Sequence, residues 1–220
     1  MALRLVVTDM KLGLGSGSTA EWFVKLLGAR VAEGLSITCA ATSKRTAVLA
    51  QECGIPIRPL DEVGRLDLTI DGADEIDPLL NLIKGGGGCH LVEKIVAAAS
   101  DDMVVIADDR KLVPVLGAFP LPLEIATYGW KTTAGMIDAV LADADVDGRI
   151  GARRGGNDPF MTDEGNYVLD YDLGRVADPV GLSQALNAIP GVVENGFFLG
   201  MASKAMIGAA DGTAREVLPI

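Results

Sequence analysis

The sequence predicts an α/β protein, a mainly parallel sheet domain accompanied by a small α+β domain. Three observations predict it. Short apolar runs bounded by turn residues alternate with helix-length amphipathic stretches through the first half of the chain, the pattern of a parallel sheet covered on both faces. Near Gly117 the texture changes to prolines, hairpin signals and alternating runs, the pattern of a smaller mixed unit. Acidic and glycine-rich stretches directly follow two of the apolar runs, where open α/β sheets place their ligands.

Taken in order, residues 5–8 and 11–14 are short apolar segments, and the second leads into Gly15-Ser16-Gly17-Ser18-Thr19. An amphipathic helix is predicted over 20–33, a strand over 37–41, a helix over 46–53 and a short strand over 55–57. The run 66–70 is short and reads as a buried strand; a helix follows over 91–99 and another buried strand over 103–107. Asp108-Asp109-Arg110-Lys111 closes that strand at the same presumed rim. Pro120 and Pro122 introduce a strand over 123–127, then a helix over 133–141. Polar segments follow, including Arg153-Arg154-Gly155-Gly156-Asn157, expected as a loop without chemistry. A strand over 168–171 and a helix over 179–188, opened by Asp178 as N-cap, complete the smaller unit. The chain is expected to rejoin the large domain near residue 200, with 205–207 as an edge strand. The domain boundaries read as 1–116 plus 203–220 for the large domain and 117–202 for the small one.

A chain of 220 residues suffices for this arrangement, and 49% hydrophobic with 22% charged residues fits a soluble globular protein. A net charge of −11 argues against a nucleic-acid or anionic-membrane partner. It leaves room for a phosphorylated small molecule, which needs only a local nest and one or two cations. Cys39, Cys53 and Cys89 are odd in number and form no Cys-x-x-Cys pair, which predicts a reduced, cytoplasmic setting. The single histidine, His90, stands beside Cys89, and two adjacent residues make a poor ligand set; no metal and no cofactor is expected. Asp9 and Lys11 cut short the first apolar run, so no signal peptide is read there. The longest uncharged apolar stretch, 112–123, holds three prolines and is too short to span a bilayer.

The chemistry concentrates in Asp71-Gly72-Ala73-Asp74-Glu75-Ile76-Asp77, then Lys84-Gly85-Gly86-Gly87-Gly88, then Glu93-Lys94. A bare glycine backbone approaches a ligand closely and turns N–H groups toward an anion. The helix over 91–99 puts Glu93 in its first turn, so three carboxylates and one ammonium gather around that loop. Each feature also has a purely structural reading. Acids after a strand cap helices, and Asp77-Pro78 is a good helix start; glycine runs serve as flexible loops; a first-turn Glu complements the helix dipole. Their combination is what points to a site. Upstream, strand, Gly-Ser turn and helix form the arrangement that binds phosphate at a helix N-terminus. Gly15, Gly17 and Ala20 also match a dinucleotide fingerprint, but Thr42-Ser43-Lys44-Arg45 stands where the ribose-binding acid belongs, and no Gly-Lys-Ser/Thr follows. The hydroxyls of Ser16, Ser18 and Thr19 fit a monophosphate cradle better. Lys111 reads either as a solvated charge or as a phosphate contact.

These motifs resemble the type A ribose-5-phosphate isomerases. The resemblance takes in Gly13-Leu14-Gly15-Ser16-Gly17-Ser18-Thr19, Phe119-Pro120-Leu121-Pro122-Leu123-Glu124 and Ile189-Pro190-Gly191-Val192-Val193, and so nearly the whole chain. It implies a Rossmann-like domain with an inserted ferredoxin-like unit, and a homodimer or homotetramer. It also implies metal-independent interconversion of D-ribose 5-phosphate and D-ribulose 5-phosphate through an enediolate, in the non-oxidative pentose phosphate pathway. Such a reaction needs a base above the carbon, donors around the enediolate, a proton shuttle between oxygens and a phosphate handle. The resemblance implies Glu93 as the base, with Lys84 and the backbone of Gly85, Gly86, Gly87 and Gly88 beside the developing oxyanion. It puts Asp71 and Asp74, with Gly72 and Ala73, at the sugar hydroxyls and ring opening. Ser16, Gly17, Ser18, Thr19 and Lys111 would hold the phosphate, and Ser43 would also touch the ligand. Two departures stand out. Family members carry a longer segment, mostly one helix, before the Gly-Leu-Gly turn, and Lys11 does not match the family lysine in that helix. Cys89 and His90 replace small or apolar residues and read as packing neighbours of the glycine loop. The apolar run 189–199 is expected to leave nonpolar surface for assembly.

Other classes compete. A sugar-phosphate sensor would share the turn and sheet without needing Lys84 and Glu93 together. An NADP-dependent oxidoreductase would use Gly15, Gly17 and Ala20 with Lys44 and Arg45. An isomerase of another sugar phosphate, or a CoA transferase with Glu93 as nucleophile, would share most of the residues.

Overall fold

The computed structural model describes residues 1–146, 149–152 and 159–220; the predicted loop residues Arg153, Arg154, Gly155, Gly156 and Asn157 lie outside the described residues. Contacts divide the chain into two compact units, the first made of Met1–Ala73, Val92–Lys111 and Gly200–Ile220, the second of Asp74–Leu91 and Leu112–Leu199. The second unit thus takes in Asp74–Leu91, which the sequence reading keeps with the parallel sheet.

In chain order, a 3-10 turn at Ala2–Leu5 precedes β1 (Lys11–Leu14), α1 (Ser18–Ala32), β2 (Thr38–Ala41), α2 (Lys44–Glu52), the short α3 (Leu60–Val63) and β3 (Leu68–Asp71). Next come β4 (Glu75–Ile76), β5 (Leu82–Ile83), α4 (His90–Ala98), β6 (Met103–Asp108) and a 3-10 turn at Asp109–Lys111. Then follow β7 (Leu121–Ile125), α5 (Trp130–Asp143), β8 (Arg149–Ala152), β9 (Phe160–Met161), β10 (Tyr167–Asp172) and α6 (Pro179–Asn187). The last elements are β11 (Val192–Asn195), β12 (Phe197–Phe198), β13 (Lys204–Gly208) and β14 (Ala214–Val217).

The first unit is built on a six-stranded sheet of order β14-β13-β6-β3-β1-β2. All neighbours pair in parallel except β13 and β14. Helix α1 forms because Ala20, Phe23, Val24 and Leu27 recur at helical spacing and bury one stripe. That stripe packs on Leu12, Leu14, Ile70, Val104 and Ile106 of the strands. Each such side chain taken out of water contributes about 1.5–3 kcal/mol. Ser43 caps α2 by accepting the Thr46 N–H at 3.1 Å. Three expectations are corrected here. Strand β13 is no edge, since β6 and β14 pair with it on both sides. The edge is β14, whose exposed Arg215 and Glu216 hide it from any hydrophobic pattern. Residues 55–57 make only a single bridge, Cys39 to Ile57. Asp71 belongs to β3 itself, fully buried, instead of following it.

The second unit holds two antiparallel sheets. In the larger, β11-β7-β10-β8 pair in that order, with β9 also on β10. Helix α5 follows β7 and α6 follows β10, so the chain runs strand, helix, strand, strand, helix, strand in the ferredoxin-like manner. Asp178 caps α6 as expected, accepting the Gly181 N–H at 2.9 Å. The smaller sheet is β12-β5-β4. Its hairpin corrects the helix start read at Asp77-Pro78. Asp77 Oδ1 accepts from the N–H groups of Leu79 at 2.9 Å and Asn81 at 2.8 Å, which is turn chemistry and not a helix cap. Glu75 is structural too, since its two carboxylate oxygens accept from the N–H groups of Gly117 and Phe119, each at 2.7 Å. Within the apolar run 189–199, Ile189, Phe197 and Phe198 are buried, so much of it fills the core instead of offering surface for assembly.

Glu124 on β7 has no exposure to solvent. Its Oε1 accepts from Thr162 Oγ1 and Asn166 Nδ2, each at 2.9 Å. Burial pushes its carboxyl above the ordinary 4.5, with Glu164 and Glu194 adding repulsion against the two hydrogen bonds. The folded chain therefore holds this proton more tightly than the unfolded chain. The contribution is fully present below the unfolded value and is lost as pH rises through the folded one. A Glu124→Gln variant, neutral at every pH, is expected to lose less thermal stability than the parent as pH is raised from 4.5. Melting curves across that range check it, and parallel pH dependence in the two proteins would overturn it.

Candidate active site

Parallel strands β2, β1, β3 and β6 end on one rim of the first unit's sheet, and the predicted turns follow them there. The Gly-Ser turn after β1 is held from both sides. Gly15 N donates to Ile70 O at 2.9 Å, while Thr42 Oγ1 and Thr46 Oγ1 donate to the carbonyls of Leu14 at 3.0 Å and Gly15 at 3.1 Å. Gly15 must be glycine, because a Cβ there would run into the Asp71 side chain and Cα. That close approach lets Asp71 Oδ1 accept from Ser16 N at 3.1 Å and Gly72 N at 2.7 Å, which orients the buried carboxylate. Gly17 then takes a φ of 96° as the N-cap residue of α1, and Gly17, Ser18 and Thr19 are exposed. An exposed helix N-terminus with two hydroxyls in its first turn suits a phosphate.

Glu93 lies in the first turn of α4 and is only 5% exposed. Because α4 carries the chain from β3 across to the parallel neighbour β6, its N-terminal end returns to the rim where β3 stops. At the end of β6, the Arg110 guanidinium beside Asp108 holds that carboxyl below the usual range, and Lys111 follows in the 3-10 turn. Gly72 and Ala73 are half-buried just past Asp71. Lys11 is at the other end of β1, where its Nζ donates to Val63 O at 3.0 Å.

The second unit carries the remaining predicted residues. Lys84 follows β5, is 3% exposed, and donates its N–H to Gly196 O at 2.9 Å. Gly88 N closes a turn onto Gly85 O at 2.9 Å, leaving Gly86 and Gly87 exposed. Asp74 clamps this turn, its Oδ2 accepting from Gly86 N at 2.7 Å. A Cβ on Gly86 would come within 2.8 Å of Asp74 Oδ1, so glycine is what allows the clamp. His90 is fully buried and sits against Gly85, where a Cβ would fall 2.8 Å from its Nδ1; it is a packing neighbour of the loop, as read from the sequence.

Two of the predicted contact residues hold the turn itself together. The Ser16 hydroxyl is engaged with the hydroxyls of Thr42, Ser43 and Thr46 at 2.8, 2.9 and 3.1 Å, so it braces the turn. Ser43 belongs to the same cluster as well as capping α2. Arg45, a candidate for a dinucleotide phosphate, pairs with Glu21 in the first turn of α1 at 2.6 Å. Among the described residues, no group of three or more His, Cys, Asp or Glu side chains is placed to hold a metal ion. Sequence reasoning missed Phe198, whose ring faces the Lys84 ammonium with Nζ 5.4 Å from the centroid. A buried phenylalanine in an apolar run carries no signal beyond that of core.

Carboxylates shielded from water, together with an unobstructed helix N-terminus, equip a protein for proton transfer on a phosphorylated small molecule, and on an α/β sheet they define a metabolic enzyme of that class. Residues 38–212 match the family model described as ribose 5-phosphate isomerase A (phosphoriboisomerase A). The chain belongs to this family. Ribose-5-phosphate isomerase A of Jannaschia sp. (strain CCS1) is 56% identical over 214 residues, covering 96% of this chain and 82% of the relative. The protein of the same name from Bradyrhizobium diazoefficiens is 53% identical over 216 residues, covering 96% and 90%. Among solved structures, a D-ribose-5-phosphate isomerase in complex with phospho-erythronic acid superposes with a TM-score of 0.90 at 37% identity, covering 99% of this chain and 94% of that one. Ribose 5-phosphate isomerase A from Neisseria gonorrhoeae gives 0.89 at 36% identity, covering 100% and 93%.

Proposed function

We infer that this chain interconverts D-ribose 5-phosphate and D-ribulose 5-phosphate through an enediolate, with Glu93 moving the proton between the two carbons. The observation that carries it is the family match over residues 38–212, which contains Asp71, Asp74, Lys84 and Glu93. In this reading Glu93 removes the proton from one carbon and returns it to the next. Lys84, with the N–H groups of Gly85, Gly86 and Gly87, offsets charge on the enediolate oxygen. Asp71 and Asp74 hold the sugar hydroxyls and assist ring opening beside Gly72 and Ala73. Gly17, Ser18, Thr19 and Lys111 hold the phosphate, with Ser16 bracing their turn. That handle supplies the binding energy that positions the sugar.

The test is turnover of purified protein with ribose 5-phosphate, ribulose 5-phosphate and a panel of other phosphorylated sugars, all with EDTA. Conversion of the pentose phosphates in EDTA is expected. Preference for another sugar phosphate would reassign the substrate, and loss of activity restored by a divalent ion would assign Lys84's part to a metal.

The reading extends to assembly and setting. A homodimer or homotetramer is proposed, supported by Trp22 at 67% exposure and Leu26 and Val48 at 54% each on α1 and α2. Light scattering that gives a monomer mass at micromolar concentration would contradict it. A cytoplasmic location is supported by three free cysteines, of which Cys39 is inert, its buried thiol pushed up to about 12. No described helix is long and apolar enough to cross a membrane. Recovery from a membrane or external fraction would overturn the cytoplasmic assignment.

A further inference from the structure

We infer that Phe198 is a positioning residue for the reaction, its ring face holding the Lys84 ammonium in place. The inference rests on the role proposed for Lys84. The geometry starts with strand register. Phe197 pairs with Ile83 and Phe198 with Leu82 in the antiparallel ladder of β12 and β5. The same ladder continues one step, because Lys84 N donates to Gly196 O at 2.9 Å. Lys84 therefore faces Gly196, and Phe198, two residues beyond Gly196, is its diagonal neighbour on the same face of the sheet. Gly196 puts no side chain between them, and a Cβ there would come within 2.5 Å of Lys84 O. The ammonium is thereby directed over the Phe198 ring, 5.4 Å from its centroid.

The energetics give this contact its weight. Lys84 is 3% exposed and Phe198 has no exposure, so the charge has left most of its water. A desolvated ammonium gains the most from the negative face of an aromatic ring. The ring is itself fully buried on a strand paired to β5, which limits how far it follows the charge if Lys84 strays. This is how a flexible four-carbon stem is made to hold its charge at one point, which electrostatic catalysis requires. Hydrophobic filling alone would be served as well by leucine.

The experiment separates ring electrostatics from ring shape. Phe198 is replaced site-specifically by 4-fluoro-, 3,5-difluoro- and 3,4,5-trifluorophenylalanine, which weaken the face charge in steps at nearly constant volume. kcat is expected to fall stepwise, by about 3- to 30-fold across the series, with KM and melting temperature little changed. Phe198→Leu should match the low end of the series. In a Lys84→Met background the fluorinated series should be flat. A flat series with Lys84 present, while Lys84→Met has lost activity, would overturn the inference and leave the role of Lys84 standing. A Lys84→Met protein with full kcat would overturn both.

Discussion

Glu93→Gln is expected to lower kcat at least ~10²-fold, the low end of what a general base supplies, with KM within a few-fold of the parent. The carbon acid is weak, so its base must be held close and kept from water. Glu93 meets that need by burial at 5% exposure and by its place in the first turn of α4, which is fixed by the crossover from β3 to β6. Glutamine keeps the size and the hydrogen-bonding capacity but cannot take the proton. The competing reading is that Glu93 only complements the helix dipole, in which case its loss costs about 0.3–1 kcal/mol of stability and leaves turnover alone. Two measurements separate them. Steady-state kinetics should show the loss in kcat, and exchange of solvent deuterium into the sugar carbon should occur in the parent and stop in the variant. Turnover within a few-fold of the parent would remove Glu93 as base and make Asp71 or Asp74 the next candidate.

The parallel half of the fold was legible because period and punctuation agree there. Runs of apolar residues between turn signals have few readings when each is followed by an amphipathic stretch. Strands β1, β2, β3 and β6 emerge within a few residues of their observed bounds. What was hidden has a physical reason in each case. Strand β14 presents Arg215 and Glu216 to solvent and is held by backbone pairing to β13, which leaves no trace in hydropathy. The β4–β5 hairpin consists of two-residue strands, too short for any period to show, and its turn uses an Asp-Pro pair equally at home at a helix start. At the candidate site, residue types suited to chemistry stand out in the sequence and supporting contacts do not. Asp71, Asp74, Lys84 and Glu93 announce themselves by type and spacing. The contact of Phe198 with Lys84 depends on strand register across 113 residues of intervening chain, from 85 to 197, which no local pattern encodes. Ser16 shows the opposite limit. Its hydroxyl reads from the sequence only as a candidate phosphate contact, and the neighbours that engage it, Thr42, Ser43 and Thr46, come from the end of β2 and from α2.

Lys84→Met is expected to lower kcat by about 10²–10³-fold, the range for removing a preorganised group from a developing oxyanion. The lysine lies at 3% exposure where β5 gives way to the glycine turn, its backbone fixed by Gly196 and its ammonium over Phe198. Methionine nearly preserves the stem and removes the charge. Melting temperature is measured beside activity, so that general damage to the fold is told apart from loss of the charge. The loss should also fall in kcat and kcat/KM alike, because negative charge on the sugar oxygen develops on the way to the enediolate and is absent from the bound sugar. A variant that instead raises KM with kcat intact would place Lys84 on the phosphate or a hydroxyl of the resting substrate, and the oxyanion role would pass to the N–H groups of Gly85, Gly86 and Gly87.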